Sequence, residues 1–140
     1  MPGYSGTPLA KKLGVKAGTV IASINAPKDY TQWLAPMPEG AGHRTIAIAQ
    51  ASADAAVIHW FGTERAALAE ALDPLGRAIF PDRALWISWP KRASKVPTSI
   101  TEDVIRELCL PLGLVDIKVC AVSEIWSGLK LMIRKSERAT

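Results

Sequence analysis

Apolar positions along this chain group in two ways, and the grouping separates buried strands from edge strands. Thr19-Val20-Ile21-Ala22-Ser23-Ile24, Ala55-Ala56-Val57-Ile58-His59-Trp60-Phe61 and Ala84-Leu85-Trp86-Ile87-Ser88-Trp89 are short, nearly unbroken apolar runs. Such runs suit strands covered on both faces. Val115 to Val122 and Trp126 to Arg134 instead alternate and lie close together, which predicts an antiparallel pair at one edge of a sheet. His43 to Ala49 alternates well enough for a second strand at a sheet edge, although it contains alanines, poor strand formers.

Helical spacing fills the intervals. Thr7-Pro8-Leu9-Ala10-Lys11-Lys12-Leu13-Gly14 carries an N-cap candidate, a proline at the first helical position and a glycine past the end. Tyr30 to Leu34 predicts a turn or two of helix, with loop from Ala35 to Gly42. Leu68, Leu72, Leu75 and Ile79 recur as one face, capped by Thr63, although Pro74 is expected to break or kink that helix near Asp73. Ile100, Val104, Ile105, Leu108 and Leu112 form another stripe, with Glu102, Asp103, Arg106 and Glu107 mostly opposite.

The rest is organised around Ala84 to Cys109. A buried strand ends at Trp89-Pro90, where pairing is expected to stop because proline has no N–H. A basic loop with Lys91, Arg92 and Lys95 follows, and Ser99-Ile100-Thr101-Glu102 spells a capping box that starts a helix at about Ser99. The whole predicts one α/β domain over residues 1–140, with 136–140 as a frayed tail. Its architecture is a three-layer sandwich around a mostly parallel sheet of about six strands, closed by a C-terminal antiparallel strand.

Composition narrows the function. Apolar residues make up 49% of the 140, enough for a real core without metal or disulfides. Cys109 and Cys120 lie at no metal-ligand spacing and read as small core residues of a reduced protein. The net charge is +4, but Lys and Arg are spread along the chain, which argues for solubility and against nucleic acid. The start, Met1 to Gly6, has no signal-peptide pattern, and no apolar run is long enough to span a membrane, so a cytoplasmic location is expected.

The order of elements resembles class I methyltransferases in compressed, Rossmann-like form. Lys12 to Ile21 is similar to the lead into their first strand, Ala84 to Ser88 to a later core strand, and Trp126 to Leu131 to their final reversed strand. The resemblance departs at the cofactor. Ile24-Asn25-Ala26-Pro27 stands where that family has a glycine-rich turn, and no acid follows Thr45 to Gln50 to hold ribose hydroxyls. The expectation is therefore no cofactor, with S-adenosylmethionine not bound. Gly3 to Gly14, Asn25 to Pro27, Trp86 to Lys91 and Leu114 to Arg134 also resemble a family of short bacterial proteins known only as a domain of unknown function, which implies no activity and no site residue.

Candidate chemistry is sparse. The chain has no Walker loop, HExxH or paired glycine fingerprint, and His43 and His59 sit in strands, where a histidine usually serves structure. A parallel sheet would, however, bring the carboxyl ends of the first, third and fourth strands and the last hairpin turn, with Glu124, to one rim. Asn25, Trp60, Thr63, Trp89, Lys91, Ser99, Trp126 and Ser127 would share that rim, with aromatic walls, a lysine and a helix amino terminus suited to a small flat or anionic ligand. The reading that follows is a non-catalytic small-ligand-binding or regulatory domain. The alternatives are an interaction module, with exposed tryptophans and an open strand edge meeting a protein partner or a second copy, and a small enzyme using Lys91 or Ser127.

Overall fold

A computed structural model describes residues 7–51 and 54–138. The predicted three-layer α/β plan is present. Six strands, β1 (Val20–Ile24), β2 (Gly42–Thr45), β3 (Val57–Phe61), β4 (Ala84–Pro90), β5 (Leu114–Ala121) and β6 (Trp126–Ile133), form one sheet in the order β2-β1-β3-β4-β6-β5. The first four run parallel, β6 is antiparallel to β4, and β5 is antiparallel to β6 on the outside.

The three unbroken apolar runs became β1, β3 and β4, and every residue of β3 and β4 is buried. Alternation along them sends Ile21, Val57, Phe61 and Trp86 toward α1 (Leu9–Leu13) and α2 (Tyr30–Leu34). Ala22, Ile58, Trp60, Leu85 and Ile87 point to α3 (Arg65–Ala78) and α4 (Glu102–Cys109). Among the described residues no helix is long and apolar enough to cross a membrane.

Several expectations are corrected. The first helix begins at Leu9 with Pro8 in the cap position and no side-chain cap, so Thr7 does not act as one; Gly14, at φ 86°, closes the helix. β2 stops at Thr45, because the Gln50 side chain accepts from the Ala47 amide at 2.8 Å and turns the chain into a short 3-10 segment, Ile48–Gln50. α3 runs unbroken through Pro74. The carbonyl that proline leaves without a partner is that of Glu70, an exposed residue, so water can satisfy it while Leu68, Ala71, Leu72 and Leu75 hold the helix down.

Pairing also continues past the Trp-Pro corner. Pro90 sits opposite Trp126, and the Lys91 amide donates to the Ile125 carbonyl at 2.8 Å. Leu112 falls outside the apolar stripe of α4, exposed in a 3-10 turn, and Cys109 takes a buried place on that face. On β5 a bulge between Asp116 and Lys118 interrupts alternation and leaves Ile117 and Val119 exposed. Residues 135–137 form a 3-10 turn, and Arg138 Nε donates to the Ile133 carbonyl at 2.7 Å; 139–140, the end of the expected frayed tail, lie outside the described residues, as do 1–6.

Candidate functional site

β1, β3 and β4 run parallel, so their carboxyl ends share one rim, and antiparallel β6 starts there. Trp89 is opposite Ser127 and Pro90 opposite Trp126, which puts Trp89 and Trp126 at the same end of the sheet. They nevertheless occupy opposite faces. Trp89 packs with the α3/α4 core, whereas Trp126 meets the Phe61 ring edge-on at 5.2 Å beside α1 and α2.

The proposed rim residues divide accordingly. Trp89, Lys91 and Ser127 come together around a cleft of about 730 Å³ between the end of β4, the 91–101 loop and the start of α4. Arg92, Lys95, Thr101 and Arg106 also line it, and they were missing from the sequence-based site because nothing local shows that the loop folds back on the helix. Trp60 does not line the cleft. Its indole is 1% exposed and lies across Gly62, where an added Cβ would come within 2.1 Å of the ring. Thr63 serves through its carbonyl, which accepts from the Ser99 amide at 2.9 Å and the Thr98 hydroxyl at 2.7 Å.

Ser99 does not start α4. The helix cap is Thr101, whose hydroxyl accepts from the Val104 amide at 3.2 Å. Ser99 Oγ accepts instead from the Arg65 amide at 2.7 Å and so caps α3 from a distance. The acid side of the cleft is internally paired: Arg106 meets Glu102 at 2.8 Å, Asp103 at 3.3 Å and Asp116 at 2.9 Å. That guanidinium holds the Asp116 carboxyl below its ordinary range. The start of α4 therefore faces its own carboxylates, and the basic charge of the cleft sits on the 91–95 lip.

Two strands away, Asn25 leaves β1 with φ 60°, in the left-handed region, and its Nδ2 donates to the Phe61 carbonyl at 3.4 Å. β1 and β3 are neighbours whose connections leave toward opposite faces of the sheet, so Asn25 stands at the point where the topology switches. Asparagine tolerates this conformation better than other residues with a Cβ, and the turn that glycine usually makes is made here without one.

Beneath the rim lies a polar chain that the sequence did not disclose. His59 is wholly buried, and its two ring nitrogens are hydrogen-bonded to the Tyr30 hydroxyl at 2.6 Å and the Ser88 hydroxyl at 2.7 Å. Burial lowers His59 to about 3 and raises the Tyr30 phenol, so both stay neutral. Beside them Ser23 Oγ and His43 Nε2 are 2.7 Å apart, and partial burial lowers His43 too. Burial also pushes the Cys109 thiol up to about 11 and Cys120 in the same direction, opposite to what a thiolate nucleophile needs. Among the described residues no three His, Cys, Asp or Glu side chains converge to hold a metal.

No family model matches the chain, and no curated protein matches it. Solved structures do. A SAM-dependent methyltransferase from Aquifex aeolicus superposes with a TM-score of 0.64 at 14% identity, over 89% of this chain and 87% of the other. A protein described as a type 11 methyltransferase, from Sulfolobus solfataricus, gives 0.66 at 12% identity, over 92% and 91%. Magnesium protoporphyrin IX methyltransferase from Synechocystis, with bound SAM, gives 0.55 at 10% identity, over 89% and 74%. The fold is thus methyltransferase-like. The expectation of a chain with no cofactor, closed to S-adenosylmethionine, is overturned: structures of this fold hold it, and the turn expected to bar it is formed by Asn25 in the left-handed conformation.

Proposed function

We propose that this chain is a small-ligand-binding domain on a methyltransferase-like fold, taking an S-adenosyl compound at the crevice between the carboxyl ends of β1 and β3. The observation that carries this reading is the left-handed turn at Asn25, φ 60°, on the strand where the sheet switches direction. It turns the chain sharply away from the strand end, so that backbone can approach a ligand closely. Asn25 itself is exposed there, and Thr45 at the end of adjacent β2 offers an exposed hydroxyl. These are the groups that would hold the sugar and amino-acid portions. S-adenosylmethionine bound there would supply an activated methyl group; the residues of this crevice supply binding and orientation.

Calorimetric titration with S-adenosylmethionine and S-adenosylhomocysteine tests it. Saturable binding is expected. Asn25→Gly keeps the turn and should hold affinity within about threefold, whereas Asn25→Val cannot adopt it comfortably and should weaken binding about tenfold or more. Absence of saturable heat with either compound at millimolar concentration, or equal affinities for the two variants, overturns the reading.

A further inference from the structure

The cleft beside β4 is separate from the Asn25 crevice, and its chemistry is different. We propose that it is a second binding site, for a small molecule with a flat apolar body and one anionic group. The volume of about 730 Å³ is in the range of small-molecule pockets. Its floor is apolar: Trp89, Pro90 and Ile100 are all buried and all line it. Trp89 is 7% exposed and is one of the residues lining the cleft.

Charge gives the site a direction. Lys91, Arg92 and Lys95 line one side, and the carboxylates of Glu102 and Asp103 on the other are bound to Arg106. An anionic group is therefore drawn to the loop lip, away from the helix start, while an aromatic body lies over Trp89 and Ile100. Ser127, opposite Trp89 in the sheet, adds a hydroxyl to the same wall. Backbone bonds anchor the loop: the Lys91 amide donates to the Ile125 carbonyl at 2.8 Å, and the Ser94 hydroxyl donates to the Lys91 carbonyl at 2.7 Å. Substitutions at the exposed Arg92 and Lys95 can thus alter charge and leave those bonds in place.

Indole-3-acetate and its uncharged analogue indole-3-acetamide are suitable probes, followed by calorimetry and by intrinsic tryptophan fluorescence. The acid is expected to bind saturably, at least tenfold more tightly than the amide. Arg92→Gln combined with Lys95→Asn should weaken the acid at least fivefold with an unchanged melting temperature, asparagine being chosen because Lys95 has φ 61°. Arg77→Gln with Arg134→Gln, on a groove at the other end of the sheet, should leave acid affinity within about twofold. Equal binding of acid and amide, insensitivity to the Arg92/Lys95 pair, equal loss from the distant arginine pair, or no saturation at millimolar acid would each overturn the proposal. None of these readouts requires an adenosyl compound, so this site and the Asn25 crevice stand or fall separately.

Discussion

The two faces of the sheet are built by different means. Toward α3 and α4 the core is wholly apolar, with Ile24, Ile58, Trp60, Leu85, Ile87, Leu129 and Leu131 packed against Leu68, Leu72, Leu75 and Ile105. A 14-residue helix covers that face. Toward α1 and α2 the covering helices have five residues each, too short to persist alone. There the sheet adds directional bonds: Tyr30 to His59 to Ser88, Ser23 to His43, and the Trp86 indole N–H donating to the Leu13 carbonyl at 2.9 Å. Apolar contact holds a long helix with little regard to exact position. Buried hydrogen bonds fix a short one in a single place, at the cost of being expensive when half-made.

If that contrast is right, the largest loss should come from the apolar face by volume alone. Trp60→Ala should destabilise the fold by about 3–5 kcal/mol in urea titration, since a buried indole is removed and the sheet cannot collapse around the cavity. Gly62→Ala tests the same ring from the other side. A methyl there meets a buried indole, and about 1–3 kcal/mol should be lost through overpacking. A loss well under 1 kcal/mol from either would mean that this face is loosely filled.

The polar face should show itself through pH. His59 is held neutral in the folded protein, lowered to about 3, while in the unfolded chain it titrates near its ordinary value of about 6.5. Below that value the unfolded chain binds the extra proton, so stability falls as pH falls, at up to about 1.4 kcal/mol per unit, until the folded group titrates in turn. His43 is lowered as well and adds in the same direction. Denaturant titration between pH 7 and pH 4.5 should show a drop of about 2 kcal/mol that His59→Leu largely removes. A variant with the same slope as the parent would show that the carboxylates, and not His59, set the acid limit.

A double-mutant cycle then separates bond from bulk. Tyr30→Phe should cost about 1–3 kcal/mol, because it strands one nitrogen of a buried imidazole. In the His59→Leu background the same change should cost far less, the partner having gone. Equal costs in both backgrounds would reduce Tyr30 to an aromatic filler against Phe61 and Trp33.

These faces were not equally legible in the sequence. The unbroken runs around Ile21, Ile58 and Leu85 disclosed three central strands, and the closing pair followed from alternation, because both signals are local. The chain from Tyr30 to Ser88 joins residues 29 apart at each step, and only the register of β3 with β4 and the seating of α2 on the sheet bring them together. Asn25 was read by residue type and not by the conformation asparagine can take, which hid the turn at the crevice. Trp60 and Trp126 look alike in the sequence as residues near the ends of strands, yet strand parity sends them to opposite faces, one into the core and one half-buried beside Phe61.

The smallest effect concerns how the α3/α4 face is stitched at its rim. The motif Ser99-Ile100-Thr101-Glu102 reads as a cap of one helix, but the two hydroxyls divide their work: Thr101 takes the third amide of α4, and Ser99 takes the first amide of α3, 34 residues back. Each truncation to alanine should cost about 1 kcal/mol, the usual scale of a cap. What separates the two is location. Ser99→Ala should speed amide exchange at Arg65 and leave Val104 unchanged, and Thr101→Ala should do the reverse. Were Ser99→Ala to loosen Val104, the local capping box would be the working arrangement, and the link from the 91–101 loop back to α3 would carry no weight. If the pattern holds, the loop that forms the basic lip of the cleft is tied to both helices of the apolar face, and its lysines stand on a fixed support.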